Sequence, residues 1–165
     1  MKEPTKSRPD NLKNFGGWSV EVSIFNEIWD RLELGESILE FGSGAATREL
    51  VKYWKVTSIE QSKKWVNMVP RSNYIFAPLK NGWYHTGPLK ELPKYDLVLV
   101  DGPFNPVQGR RGLLKHLDMF DLTVPWIFDD INRGLDLEVF NDFCKKTGKL
   151  GTIKTGQQKQ YGIAI

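Results

Sequence analysis

The 165-residue sequence has a single cysteine, no apolar run of membrane-spanning length, no dense basic stripe, no internal repeat, and low complexity only in the Gln157–Gln160 patch. Each shortage removes a class of answer. One cysteine cannot close an internal disulfide, and Cys144 falls in a helical apolar pattern with Phe140 and Phe143, so it reads as a reduced core residue. The stretch from Met1 to Lys13 is polar where a signal peptide would be apolar, which makes a cytoplasmic protein that does not enter a membrane the expectation. The 23 Lys and Arg against 20 Asp and Glu leave only +3, spread over separated segments, so nucleic acid is a less favoured partner than a small molecule. With 40% apolar and 26% charged residues, disorder throughout is excluded. A chain of this length cores one ordinary domain rather than two, so any cofactor and substrate must share one sheet.

Residues 1–17, rich in Lys, Pro, Asn and Gly, read as a flexible arm ending at Gly16 and Gly17, able to fold over a ligand; residues 18–165 read as the domain. Trp18 either anchors that arm or closes over the ligand. From Ser19 to Leu32, apolar residues recur at helical spacing with Ser19 as the candidate cap. Strands are then expected at 37–41, 55–59, 73–76, 95–100 and 125–128, and helices at 46–54, from Ser62 to Pro70, at 112–120 and at 135–146. Alternation of this kind implies an α/β fold with a parallel sheet. The last two strands, at 151–154 and 161–165, have no room for a crossover helix between them, so the final strand must run antiparallel to its predecessor.

The sharpest local signal runs from Leu39 to Thr47, where a strand leads through Glu40, Gly42, Ser43 and Gly44 into a helix. Small residues there let a ligand approach the backbone, but Thr47 stands where a dinucleotide fingerprint has its third glycine, which disfavours a nicotinamide dehydrogenase. Glu60 ends the second strand, where a carboxylate can accept both hydroxyls of a ribose. Asp101 ends the fourth strand, at the edge where open parallel sheets bind ligands; it can cap the next turn, act in catalysis, or both. Asp129 and Asp130 end the fifth strand, and with Asp101 they make a candidate oxygen-ligand set for Mg2+, the alternatives being pairing with Arg133 or helix capping. Arg110 and Arg111 can hold a carboxylate or phosphate of an acceptor through paired donors.

Glu40 to Gly44 resembles the first motif of the class I S-adenosylmethionine-dependent methyltransferases, and Ile59 with Glu60 resembles their ribose-binding acidic motif. The resemblance covers nearly the whole chain. It implies a Rossmann-like, mostly parallel seven-stranded sheet of order 3-2-1-4-5-7-6 with a reversed last strand and helices on both faces. It also implies S-adenosylmethionine held by Glu40, Gly42, Ser43, Gly44, Glu60, Gln61 and Asp101, with Ala77, Pro78 and Leu79 beside the adenine. Because the sulfonium is already a good leaving group, in-line methyl transfer needs chiefly alignment and removal of a proton, for which Asp101 or His116 is the candidate base and Asp130 and Arg110 are candidate helpers. The carboxylates at 101, 129 and 130 resemble the metal-dependent branch that methylates hydroxyls of small molecules and sugars, so a small or glycan-like acceptor is expected. Asp101, Gly102, Pro103, Phe104 also resembles the Asp-Pro-Pro-Phe loop of amino-methyltransferases acting on nucleic acid or protein, except at Gly102. A catalytically silent methyltransferase-like subunit is the remaining alternative, against which Glu40, Gly44 and Glu60 stand intact.

Overall fold

The computed structural model describes residues 7–9, 12, 15 and 19–165. Its main sheet has seven strands: β1 (Ser37–Phe41), β2 (Lys55–Glu60), β3 (Asn73–Phe76), β6 (Leu97–Val100), β7 (Trp126–Phe128), β8 (Gly151–Thr155) and β9 (Gln160–Ala164). A two-stranded hairpin, β4 (Leu79–Lys80) with β5 (Trp83–Tyr84), interrupts the series, and the helices are α1 (Val22–Arg31), α2 (Ala45–Leu50) and α3 (Gly134–Thr147). The main strands lie in the order β3-β2-β1-β6-β7-β9-β8, with β9 antiparallel to both of its neighbours and the other pairings parallel. Counted without the hairpin, this is the expected 3-2-1-4-5-7-6.

The sheet is covered on both faces because its strands are apolar on both faces. Ile38, Leu97, Leu99 and Ile127 point to the side of α1 and α2, where they meet Phe25, Ile28, Trp29 and Leu50. Their neighbours Leu39, Phe41, Val98, Val100, Trp126 and Phe128 point the other way, toward Phe140 and Phe143 of α3, Leu113 and the hairpin's Trp83 and Tyr84. Cys144 is free and half-buried at the edge of this second layer.

Several elements differ from the sequence expectation. The stretch from Ser62 to Pro70 is a chain of turns rather than a helix: Asn67 takes a left-handed φ of 62° and Pro70 follows. Residues 112–120 form two short 3-10 segments, Arg111–Lys115 and Leu117–Met119, with His116 between them. The hairpin at 79–84 was not expected, although Asn81-Gly82 is a hairpin signal, and both residues take positive φ, 54° and 82°. Ser19 caps a different helix from the one expected, its hydroxyl oxygen accepting the Ala46 amide of α2 at 3.2 Å. Trp18 and most of 1–17 lie outside the described residues, but Leu12 and Phe15 are described and pack against the α1 layer.

Glu21 takes the capping place at α1, its carboxylate accepting the Ser23 amide at 3.3 Å. The same buried carboxylate accepts the amides of Gln157, Gln158 and Lys159 at 2.8–3.0 Å, tying the start of α1 to the β8–β9 turn. Burial pushes its pKa up, but these amides outweigh burial and leave it lowered. A lowered carboxyl pKa contributes stability that is present above the unfolded value of about 4.5 and is lost as pH falls through the folded value. Glu21→Ala should therefore cost about 2 kcal/mol at neutral pH in a denaturant titration, with the deficit shrinking in acid.

Candidate active site

A cleft of about 1000 Å³ opens at the carboxyl ends of β1, β2 and β6. The chain runs outward from β1 to β2 and β3, then returns to β6 on the opposite side of β1, so the cleft lies where the winding direction switches. One wall holds Gly42, Ser43, Gly44 and Glu60; the other holds Asp101, Gly102, Arg110, Asp130 and Asp136. Trp65, Met68 and Val69 from the turn chain, together with Phe15, add apolar surface.

Gly42 turns the chain out of β1 with φ of 82°, and a Cβ there would sit 3.4 Å from the backbone of Gly102. Glu60 reaches across from β2: one carboxylate oxygen accepts the Ser43 amide and the other the Ser62 amide, both at 3.0 Å. A carboxylate offers about four lone-pair directions, so Glu60 keeps acceptor capacity toward the cleft. Gln61 pairs its side-chain amide with the backbone of Phe104, accepting at 2.8 Å and donating at 3.2 Å, and so joins the two walls.

Glu40 faces inward and does not line the cleft. Fully buried, it accepts the Ser58 hydroxyl at 2.7 Å and the Thr47 hydroxyl at 2.9–3.0 Å, while Thr47 in turn accepts the Gly44 amide at 2.9 Å. Glu40 thus holds the glycine turn from behind, and Thr47, in the third-glycine position, is the link. Burial, opposed by the two hydroxyls and helped by the Glu60 charge, raises the Glu40 pKa to about 7.

The carboxylates at the ends of β6 and β7 come together, with oxygens of Asp101, Asp129 and Asp130 within 4.8 Å of one another. Their positive charge comes from the chain itself. Lys159 lies 3.1 Å from both Asp129 and Asp130, Arg133 lies 3.2 Å from Asp130, and buried Arg110 lies 3.5 Å from both Asp101 and Asp130. Arg110 also lies 4.0 Å from Asp136, so three cations stand among four carboxylates, and this donor set does not fit a magnesium ion, which would meet ammonium and guanidinium groups already against the same oxygens. Arg110 also donates to the carbonyls of Val100, Asp101 and Asp129 at 3.3, 2.8 and 2.5 Å, so its donors are turned into the protein rather than toward an acceptor. Arg111 is exposed and pairs with Glu138.

Burial, then the charge of Asp129, raises the Asp101 pKa well above the ordinary range against the pull of Arg110. Asp129 is raised by burial and by Asp130. Burial would lower Lys159, but the two aspartates outweigh it and its pKa is raised.

Of the residues expected at the site, Gly42, Ser43, Gly44, Glu60, Gln61, Asp101, Arg110 and Asp130 line the cleft. Asp129 lies behind them, fully buried against Lys159. Ala77, Pro78 and Leu79 are not on the cleft wall, because the chain after β3 turns away into the hairpin; Ala77 is fully buried, with its amide on the Glu60 carbonyl. His116 sits at the junction of the 3-10 segments, also off the wall. Tyr84, Arg48 and Asp136 line the cleft without having been expected; for Tyr84 the signal was the Asn81-Gly82 turn that delivers it.

The same architecture is found in solved structures. A methyltransferase from Pyrococcus furiosus superposes with a TM-score of 0.61 at 18% identity, over 96% of this chain and 86% of that one. A Staphylococcus aureus protein assigned as a caffeoyl-CoA O-methyltransferase gives 0.61 at 13% identity, over 87% and 80%. This is the class I methyltransferase fold. A ribosomal protein L11 methylase from Lactobacillus delbrueckii subsp. bulgaricus shares it with a TM-score of 0.55 at 16% identity, over 85% of this chain and 74% of that one. The sequence itself matches no family model and no curated protein. Among the described residues, no helix is long and apolar enough to cross a membrane.

On this methyltransferase fold, the raised Glu40 pKa has a definite sign. Its contribution to stability is present below the unfolded value of 4.5 and is lost as pH rises through about 7. Glu40→Gln, which cannot titrate there, should gain on the wild type by up to roughly 3 kcal/mol between about pH 5 and about pH 8, measured by denaturant unfolding.

Proposed function

We propose that the chain is an S-adenosylmethionine-dependent methyltransferase. The observation that carries this reading is the Glu60 carboxylate, which faces the cleft beside the Gly42–Gly44 turn and retains acceptor capacity for the two ribose hydroxyls. The cleft fits the group: its volume accommodates the cofactor and a small acceptor together, and Gly44 has open space where a Cβ would be. The bound cofactor would supply an electrophilic methyl, a neutral thioether leaving group and one positive charge.

The residues of the chain then orient and handle the proton. Gly42, Ser43, Gly44 and Glu60 hold the nucleoside end, and Gln61 supports them by fixing the opposite wall at Phe104. Asp101, with a raised pKa in the ligand-free protein, is the candidate for taking the acceptor proton; a positive charge brought beside it favours its ionised form. Arg110 and Lys159 hold Asp101, Asp129 and Asp130 in place electrostatically. With its donors turned inward, Arg110 holds the protein rather than the acceptor; the acceptor is a small molecule bearing a hydroxyl, and O-methylation proceeds without a divalent cation.

Calorimetric titration with S-adenosylhomocysteine should show binding of the same strength in magnesium and in chelator. Glu60→Ala should weaken it by about 1.5–3 kcal/mol through lost charged hydrogen bonds. Undetectable binding by the wild type in both conditions would overturn the reading. Asp101→Asn should lower turnover by roughly 100-fold or more in a methyl-transfer assay without lowering the unfolding midpoint, since a carboxyl of raised pKa is not a source of stability at neutral pH; normal turnover would remove Asp101 from the mechanism.

A further inference from the structure

Tyr84 stands out among the cleft residues that the function has not used. It is 1% exposed, its ring packs against Phe41 and Trp83 at centroid distances of 5.8 and 5.1 Å, and yet it lines the cleft. Its hydroxyl finds no hydrogen-bond partner among the described residues. A buried polar group left unpaired costs free energy, which makes such a group a candidate for one that is paired only in the liganded protein.

The backbone opposite has been cut away to admit this hydroxyl. A Cβ at Gly102 would collide with the Tyr84 hydroxyl oxygen and stand 3.1 Å from both Gly42 N and Phe41 O. The hydroxyl is therefore buried where the Gly42 turn and the Asp101 loop approach each other, in a residue that lines the cleft between two others of its wall, Gly42 and Gly102. Tyr84 reaches this point from β5 of the hairpin that follows β3, its ring lying against Phe41 of β1. Burial, reinforced by the charge of Glu60, raises its pKa and keeps the phenol neutral, able both to donate and to accept.

We infer that Tyr84 is a ligand-contacting residue whose hydroxyl hydrogen-bonds the nucleoside part of the bound cofactor, and that Gly102 lacks a side chain to leave room for it. This rests on the methyltransferase reading above. It also accounts for the departure of Asp101-Gly102-Pro103-Phe104 from the Asp-Pro-Pro-Phe pattern, since a proline at 102 would place its ring where the hydroxyl lies.

The test is Tyr84→Phe in the full chain, with S-adenosylhomocysteine and adenosine as calorimetric probes and thermal unfolding of the ligand-free protein as control. The expected result is about tenfold weaker binding of both probes, with a ligand-free Tm equal to or above that of the wild type. A hydroxyl with only a structural role would move Tm downward and leave affinity unchanged, which overturns the inference. So does a loss confined to S-adenosylhomocysteine, which would move the contact to the amino-acid end. Wild-type protein that binds neither probe overturns the methyltransferase reading and this inference together, whereas a wild type that binds alongside an equally tight Tyr84→Phe variant overturns this inference alone.

Discussion

The carboxyl ends of β6 and β7 are fastened by one guanidinium. Arg110 comes from the loop after β6, folds back into the protein, and donates to the carbonyls of Val100, Asp101 and Asp129 while facing the carboxylates of Asp101 and Asp130. A buried arginine is tolerable only when all of its donors and its charge are answered, so the loop that delivers it has little freedom once the carbonyls are bound. Lys159 performs the complementary task from the β8–β9 turn, and that turn is itself held by Glu21 at the start of α1. The wall of the cleft that holds Asp101 and Asp130 is thus built from four segments distant in sequence and joined by charge, whereas the wall that holds Gly42 to Gly44 and Glu60 is built from backbone turns and hydroxyls.

This division explains what the sequence makes readable. The sheet was legible almost completely, including its reversed last strand, because two-sided burial demands continuous apolar strands and the polar connection between β8 and β9 is too short for a crossover. That Gly42, Ser43, Gly44 and Glu60 meet at one cleft was legible for a related reason: each follows directly from the carboxyl end of a strand, and β1 and β2 are neighbours in the sheet. Glu40 was legible as a residue of the turn but not in its direction, because strand alternation gives no sign that Ser58 and Thr47 wait behind it.

The rest depended on distance. Arg110 looked like an exposed anion binder beside Arg111, and only the fold sends one inward and leaves the other on Glu138. Asp101, Asp129 and Asp130 looked like ligands for a cation, which they are in a sense, but the cations are side chains, one of them 29 residues downstream of Asp130 at Lys159. The helix expected at 62–70 is broken for a local reason, a left-handed Asn67, whereas 112–120 keeps helical turns but in two short 3-10 segments, the first with Gly112 packed against the distant Trp83. The segment at 62–70 carries Trp65 and Met68 to the cleft, so that departure from regular structure falls on the cleft wall.

The fit between Gly102 and Tyr84 also constrains how this site can change by descent. With tyrosine at 84, any residue larger than glycine at 102 meets the hydroxyl oxygen, so that position is closed to single substitutions. With phenylalanine at 84 the obstruction is gone and only the closer fit to Gly42 and Phe41 remains. A lineage exchanging this loop for one with a side chain at 102 must therefore lose the hydroxyl first, and one travelling in the opposite direction must acquire the glycine first. The order in which the two positions, 18 residues apart, can change is thus set by the volume of one oxygen atom.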